Sequence, residues 1–202
     1  QLHCPVGESN LVPAAISPAG RWLATAVSRG RGEKSAKKLC LWDAESGALR
    51  QLDLPGHDPA ADGTRSTLTG FERGLFHLAF SDEKTLYGSG DGGLYRFDLA
   101  AGSHELVVPN AQGNALRASF DADARVVITE DRKPETHDVC SEARLHDLSD
   151  GSTRPFTELG PCGTRRDVPA LDPSGTVVAA GGVDGVVRVG TVGREPHLLL
   201  GH

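Results

Sequence analysis

The chain has 202 residues, of which 38% are hydrophobic and 24% charged, and this ordinary globular composition excludes a disordered or fibrous protein. A formal net charge of -6 gives phosphate no overall attraction, so we expect no nucleic-acid partner. No apolar run approaches the roughly 20 residues that a membrane-spanning helix requires, so we expect no membrane partner either.

Short apolar runs separated by turn residues follow one another along the chain. The first four are AAISP, RWLATA, LCLW and ALRQL, and the same plan returns in 77–107, 117–156 and 169–200. Such runs are too short for helices and are bounded by Gly, Pro, Asp and Ser, which is typical of β-strands. The sequence therefore predicts four units, each with four strands that we label a, b, c and d.

The four units align on one position near the end of strand c. Successive alignment positions are 55, 49 and 44 residues apart, and they are Asp43, Asp98, Asp147 and Thr191. A glycine recurs in each following c–d link, where a turn needs a residue that tolerates positive φ; these are Gly47, Gly102, Gly151 and Gly193. Four strands joined by tight turns form an antiparallel sheet, and such a sheet must stack on a neighbour to bury both faces.

The period and the four-strand plan together predict an all-β fold, a β-propeller made of four-stranded antiparallel blades. We predict one propeller segment over 1–202, with residues 1–9 as the end of a preceding blade and its link. The predicted blades are 10–56, 57–109, 110–161 and 162–202.

The recurring stretches LCLWD at 39–43, PGH at 55–57, SGDGGLYRFD at 89–98, GGVDGVVRV at 181–189 and LLLGH at 198–202 resemble WD40 repeats. The Trp position becomes Phe97, then His146, then Gly190 in the later units. The resemblance implies a hydrogen-bonded network of His, Ser or Thr, Asp and Trp in a blade, but no single unit contains every member. We therefore expect an incomplete network in every blade. The structural repeat residues are Trp42, Asp43, His57, Asp91, Phe97, Asp98, Asp147, Asp184 and His202.

Four blades are fewer than the seven or eight that the WD40 resemblance implies for a complete propeller. An unclosed array leaves unpaired edges and bare blade faces. We therefore expect a segment of a longer propeller, or a half that closes with further repeats or through self-association with a second chain.

Long insertions depart from the repeat in the b–c and d–a links, at 28–38, 57–74, 130–142 and 158–167. In an antiparallel blade these links leave from one end, and long loops on a rigid scaffold often bind partners. Tolerated drift is the alternative, because surface insertions cost little entropy. The candidate partner-binding residues are the cations Arg29, Arg31, Lys34, Lys37, Lys38, Arg132, Lys133, Arg165 and Arg166.

Four cysteines without a CxxC pair in a chain of this length predict reduced, structural thiols. No targeting segment is visible, which favours the cytoplasm, although the chain begins as if cut from a longer one. High Ala, Gly and Arg with no Met suggests a bacterial source.

Motifs for catalysis are missing from the sequence: we find no GxSxG, HExxH, GxxxxGK[ST] or EF-hand pattern. His77 with His104 or His137 has no metal-ligand spacing, and Glu130, Asp131 and His137 share one insertion without an acid–base pattern. We therefore expect no enzyme, no cofactor and no metal. Trp42 and Phe97 are interpreted as core residues rather than interface anchors.

The sequence favours a protein-interaction scaffold that recognises a protein or peptide through the loop-rich face. The alternative is a regulatory or sensor domain attached to a bacterial kinase, protease-like or ATPase module. A third hypothesis is a propeller enzyme with a central-channel site. The fold alone does not choose among them.

Overall fold

A computed structural model describes residues 13–29, 36–53, 75–90, 93–109, 116–131, 143–157, 169–182, 185–194 and 197–199. Regular structure in these ranges is entirely β, in sixteen strands that form four sheets. Each sheet contains four consecutive strands paired antiparallel in chain order, so the predicted all-β fold of four-stranded antiparallel blades is confirmed. Within these ranges, no helix is long and apolar enough to cross a membrane.

The strands of the first and second sheets are β1 (Ala14–Ile16), β2 (Trp22–Arg29), β3 (Ala36–Asp43), β4 (Leu49–Asp53), β5 (Leu75–Phe80), β6 (Thr85–Gly90), β7 (Gly93–Asp98) and β8 (Ser103–Pro109). Those of the third and fourth sheets are β9 (Leu116–Phe120), β10 (Val126–Asp131), β11 (Ala143–Asp147), β12 (Thr153–Pro155), β13 (Ala170–Leu171), β14 (Val177–Gly181), β15 (Val187–Thr191) and β16 (His197–Leu199). The chain divides into two compact units after Ala115, each with two sheets.

Side chains alternate between the two faces of each sheet, and directly paired residues share a face. We call the face that carries the Trp42 position, occupied by Trp42, Phe97, His146 and Gly190, the leading face of its sheet. The opposite face is the trailing face. These two names describe how the sheets pack within each unit.

The core of the first unit lies between its two sheets. The trailing face of the first sheet contributes Ala24, Ala26, Leu39 and Leu41. The leading face of the second sheet and its adjoining residues contribute Leu75, Phe80, Leu86, Phe97 and Leu99. Ala24 and Ala26 of β2 leave room for the larger side chains of the second sheet, so the two sheets approach closely and both surfaces are buried.

The core of the second unit repeats this arrangement. Ile128, Ala143 and the partly buried Leu145 belong to the trailing face of the third sheet, and Phe156 follows its last strand. They pack against Leu171, Val178 and Ala180 on the leading face of the fourth sheet. In both units, therefore, a trailing face packs on a leading face.

The repeated aspartate caps the c–d turn in the first three sheets. The Asp98 carboxylate accepts hydrogen bonds from the backbone N–H groups of Ala100 and Ala101, both at 2.9 Å. Gly102 closes the same turn by donating its N–H to the Asp98 carbonyl at 2.8 Å, with φ at 68°. Equivalent caps begin at Asp43 and Asp147. The repeated Asp and Gly thus make a local turn, in agreement with the predicted positive φ.

The a–b turns hold neighbouring sheets together by hydrogen bonds. In the first unit, the Glu83 carboxylate accepts from the Ser17 hydroxyl at 2.8 Å and from the Ala19 backbone N–H at 2.7 Å. In the second unit, the Ala122 N–H donates to the Pro173 carbonyl at 3.1 Å. These bonds join one short turn to the next, which fixes the spacing of the sheets at this end.

Two predicted insertions are shorter than the sequence suggests. Strand β2 continues to Arg29 and β3 begins at Ala36, with Ser28 paired to Lys37. Likewise β10 continues to Asp131. The prediction that 28–38 and 130–142 lie wholly in loops is wrong, because an antiparallel hairpin gains paired backbone hydrogen bonds for as long as both strands stay extended.

The predicted reduced state of the cysteines is wrong for Cys40. This residue is buried in β3 and is disulfide-bonded. Its partner and the other cysteines, Cys4, Cys140 and Cys162, lie outside the described residues. Peptide mapping without reductant is expected to recover a Cys40 peptide linked to one of those three. Recovery of Cys40 only as a free thiol from unreduced protein would contradict the bond.

Candidate recognition surface

The antiparallel order of each sheet places its b–c and d–a links at one end and its a–b and c–d turns at the other. In the first sheet, Lys38 of β3 pairs with both Val27 of β2 and Asp53 of β4, so the end of strand b, the start of c and the end of d lie side by side. We call this end of a blade the link end and the opposite end the turn end. Each predicted insertion therefore begins at the link end of a blade.

The predicted cations are divided between strands and links. Arg29 is the last residue of β2, and Lys37 and Lys38 belong to the start of β3, at the link end of the first sheet. The other candidate cations lie outside the described residues: Arg31, Lys34, Arg132, Lys133, Arg165 and Arg166. The repeat residues His57, Asp91, Asp184 and His202 lie outside them as well.

The turn end of the blades has its own electrostatics. Asp43 receives the Arg21 side chain at 3.2 Å as well as the backbone N–H groups of Glu45 and Ser46. The Ser46 hydrogen bond, with a smaller contribution from Arg21, lowers the pKa of Asp43 against the opposing effect of burial. The carboxylates of Asp43, Asp98 and Asp147 accept hydrogen bonds within their own turns, so they are poor candidates for binding a ligand.

The repeated aromatic position is buried wherever the structure describes it. Trp42 packs with Cys40 and Leu23 on the leading face of the first sheet. Phe97 is 1% exposed in the core of the first unit, and the ring of His104 lies 5.8 Å from its ring centre. Both side chains are therefore inaccessible to a partner.

The third sheet contains a polar network that we did not predict from the sequence. His146 occupies the Trp position on the leading face and is 2% exposed. Its Nε2 lies 2.7 Å from the Thr129 hydroxyl of β10, and its Nδ1 lies 2.9 Å from the Thr153 hydroxyl of β12. Burial, with a smaller effect from the Arg144 charge, lowers the pKa of His146 to about 4.

This network joins strands b, c and d of one blade through a neutral imidazole. A hydroxyl can donate or accept, so both ring nitrogens are satisfied in either tautomer. The alignment signalled His146 as a replacement for Trp, but it did not signal either threonine. The arrangement orients and stabilises three strands, and since it is buried we assign it to the fold rather than to binding.

The histidines considered as metal ligands do not converge. His77 pairs with Ser89 on the trailing face of the second sheet, whereas His104 pairs with Phe97 on the leading face. His137 lies outside the described residues. Among the described side chains, no group of three or more His, Cys, Asp or Glu residues is placed to hold a metal ion.

One buried polar atom has no hydrogen-bond partner among the described residues: the hydroxyl of Ser89 on β6, a fully buried residue. Glu130 is also buried, at the equivalent position of the third sheet, and opposes Ala143 in the register. Neither Ser89 nor Glu130 belongs to a described group of residues that combines a nucleophile, a base and an orienting group, as catalysis requires.

Comparisons with known proteins match this architecture. A chain in a structure titled "Crystal Structure of Mitotic Checkpoint Complex" is similar over 100% of this chain and 55% of its own length, with a TM-score of 0.61 and 16% identity. A chain of a nidogen/laminin complex is similar over 99% and 67%, with a TM-score of 0.60 and 10% identity. The blades are those of a β-propeller.

Another similar structure has the name of an enzyme in its title. Kuenenia stuttgartiensis hydrazine synthase matches 92% of this chain, with a TM-score of 0.58 and 11% identity. This chain spans 55% of the mitotic checkpoint chain and 52% of the hydrazine synthase chain. No family model matches the chain, and no curated protein matches its sequence. At such low identity the comparisons show the propeller fold alone.

Proposed function

We propose that this propeller chain is of WD40 type and acts as a scaffold that binds a protein or peptide partner through the link end of its blades. One observation carries the proposal: in every blade the a–b and c–d turns lie at one end, and the b–c and d–a links, which include the long insertions, lie at the other. At the turn end, carboxylates and backbone groups of the described residues bond to each other. The link end carries the long segments that the scaffold does not require, and such segments commonly supply binding groups.

The chemistry of these segments favours an acidic partner surface. Residues 29–38 contain Arg29, Arg31, Lys34, Lys37 and Lys38 with one acid, on a chain whose formal net charge is -6. A local cationic cluster on an acidic protein attracts acidic groups at short range, and salt weakens that attraction. The proposed partner is therefore a protein or peptide with exposed Asp and Glu residues.

The proposal predicts that shortening the links removes partner capture. In the test variant, residues 30–35 and 132–139 are each replaced by Asp-Gly, the two residues that join β6 to β7, and Cys140 is kept because it is a possible disulfide partner of Cys40. Affinity capture from a lysate of the source cells, quantified by mass spectrometry, is expected to lose one or more acidic partners at low salt. Raising the salt concentration is expected to weaken capture by the parent chain.

The matched control alters the turn end. Glu45→Lys with Asp123→Lys changes two exposed acidic residues there and leaves every link intact. The control is expected to capture the same partners as the parent chain. Equal capture by the shortened variant and the parent would refute binding at the link end, provided that both variants unfold cooperatively at temperatures close to that of the parent.

A second candidate is a regulatory or sensor propeller joined to an enzyme. The supporting observation is that a chain of the tricorn protease is similar over 87% of this chain but only 15% of its own length, with a TM-score of 0.55 and 11% identity. A propeller of this kind thus occurs as a small part of a much longer chain with an enzyme's name. Loss of activity in an adjoining catalytic domain on deleting the propeller, with partner capture unaffected, would favour this candidate.

The disulfide bears on the compartment in which the scaffold acts. Persistent disulfides belong mainly to oxidising compartments, since cytosolic thiols are kept reduced. The bond at Cys40 therefore favours an oxidising compartment over the cytoplasm predicted from the sequence.

A further inference from the structure

The disulfide-bonded Cys40 lies on the leading face of the first sheet. Its side chain shares that face with Trp42 and Leu23, because Leu23 pairs with Trp42 and side chains two residues apart on a strand point to the same side. The trailing face of this sheet packs on the second sheet. The partner cysteine therefore approaches Cys40 from the side of the first sheet that faces away from the second.

The leading face is covered at Cys40. Cys40 is 0% exposed and Trp42 is 6% exposed, yet the described residues of their buried cluster all belong to the first sheet. The face of a sheet is buried only when another element lies on it. A disulfide holds the two Cα atoms within about 7 Å of each other, so the segment that contains the partner cysteine contributes to this cover.

The chain that precedes β1 meets the sheet on the same face. Thr25 lies opposite Cys40, and Ala14 of β1 lies opposite Thr25, so the three residues form one row across the sheet. The Thr25 hydroxyl donates a hydrogen bond to the Pro13 carbonyl at 3.2 Å. Strands are spaced about 5 Å apart, which puts β1 about 10 Å from Cys40. Cys4 precedes Ala14 by ten residues, a length of up to about 35 Å, so it can reach Cys40.

The other two cysteines flank a hairpin of the third sheet. Cys140 precedes Ala143, the first residue of β11, by three residues, and Cys162 follows Phe156 by six. The Phe156 N–H donates to the Ala143 carbonyl at 2.9 Å, so both cysteines are attached to neighbouring points of that sheet. Three and six residues span up to about 10 and 20 Å, so these two cysteines are within reach of each other.

We propose that Cys40 is bonded to Cys4, and that this bond straps the segment before β1 onto the leading face of the first sheet. Cys4 and Cys40 belong to the same compact unit, whereas Cys140 and Cys162 belong to the other. Cys4 and Cys40 are 36 residues apart, and Cys40 and Cys140 are 100 apart, so the bond to Cys4 closes a shorter loop at a lower cost in entropy. The strap lies on a blade face, so it does not depend on the proposed recognition of a partner at the link end.

Peptide mapping of the unreduced parent chain tests this pairing. Trypsin, which does not cleave before proline, places the four cysteines on four different peptides: 1–21, 39–50, 133–144 and 145–165. The chain is treated with N-ethylmaleimide and digested below pH 7, because a low thiolate concentration slows disulfide exchange. Mass spectrometry is expected to find peptide 1–21 joined to peptide 39–50, and reduction is expected to separate them.

Two serine variants test the strap itself. Cys4→Ser is expected to leave Cys40 as a thiol that reacts with iodoacetamide after unfolding without reductant, whereas the matched control Cys162→Ser keeps Cys40 blocked. In the folded state, acrylamide is expected to quench tryptophan fluorescence more strongly in Cys4→Ser than in the parent, because Trp42 loses its cover. The control is expected to be quenched like the parent.

Three results would overturn the proposal. The first is recovery of peptide 39–50 joined to 133–144 or to 145–165. The second is a Cys40 thiol that stays blocked in Cys4→Ser. The third is equal quenching in Cys4→Ser and the parent, which would show that this bond does not hold the cover over Trp42. The mapping uses the parent chain, so it decides the pairing even if Cys4→Ser fails to fold.

Discussion

Replacing Phe97 by alanine is expected to lower the free energy of unfolding by about 3–5 kcal/mol. Phe97 is 1% exposed and packs in the core of the first unit with Phe80, Leu86 and the small residues of the first sheet. Truncation to alanine removes the free energy gained by transferring the ring out of water. It also leaves a cavity, because the two packed sheets cannot collapse around it without breaking their register. The total stability of a domain is about 5–15 kcal/mol, so the effect is a large fraction of the whole.

Urea unfolding followed by circular dichroism measures this loss. Phe97→Leu keeps most of the apolar volume and is expected to lose less than the alanine variant. Val107→Ala is the control: Val107 is an exposed residue at the bulge of β8, and its change is expected to stay within about 0.5 kcal/mol. A loss at Phe97 no larger than at Val107 would show that the repeated aromatic position does not form the core.

Stability is expected to fall as the pH is lowered from about 6.5 towards about 4, by about 2–3 kcal/mol, because of His146. In the unfolded chain the imidazole takes up a proton below pH about 6.5. In the folded chain its pKa is about 4, because burial and the Arg144 charge oppose the cation. Between these values the unfolded state binds more protons, so acid favours unfolding; above about 6.5 this residue causes no pH dependence.

The measurement is the free energy of unfolding in urea at several pH values between 4 and 8. His146→Gln removes the titrating group and is expected to flatten the profile between pH 4 and 6.5. His104→Gln changes an exposed histidine of β8 and is the matched control, expected to follow the parent. Parallel slopes for the parent and His146→Gln would show that His146 is not the group responsible.

The sequence was sufficient to predict the blade plan because that plan rests on local interactions. The Asp98 side chain bonds the backbone two and three residues on, and Gly102 adopts a positive φ within the same turn. Such turns are specified by neighbours in the chain. Alternating apolar residues then predict which short segments become strands, and the recurrence of the whole pattern predicts blades.

The link lengths were predicted less well. The departure of 28–38 from the repeat predicts a loop, whereas Arg29, Lys37 and Lys38 lie in paired strands. A polar residue can extend a hairpin as long as its backbone groups find partners across the sheet. Composition carries no information on where that pairing stops, so the boundary of a strand is the least predictable part of the pattern.

The sequence by itself determined the four-strand units, their turns and the burial of the aromatic position, since these depend on period and turn chemistry within a few tens of residues. Only the tertiary structure decided that His146 joins Thr129 and Thr153, that Glu83 holds the Ser17 turn, and that Cys40 is disulfide-bonded. These contacts join different strands and different sheets, and their distances and burial depend on how the sheets pack rather than on any local pattern.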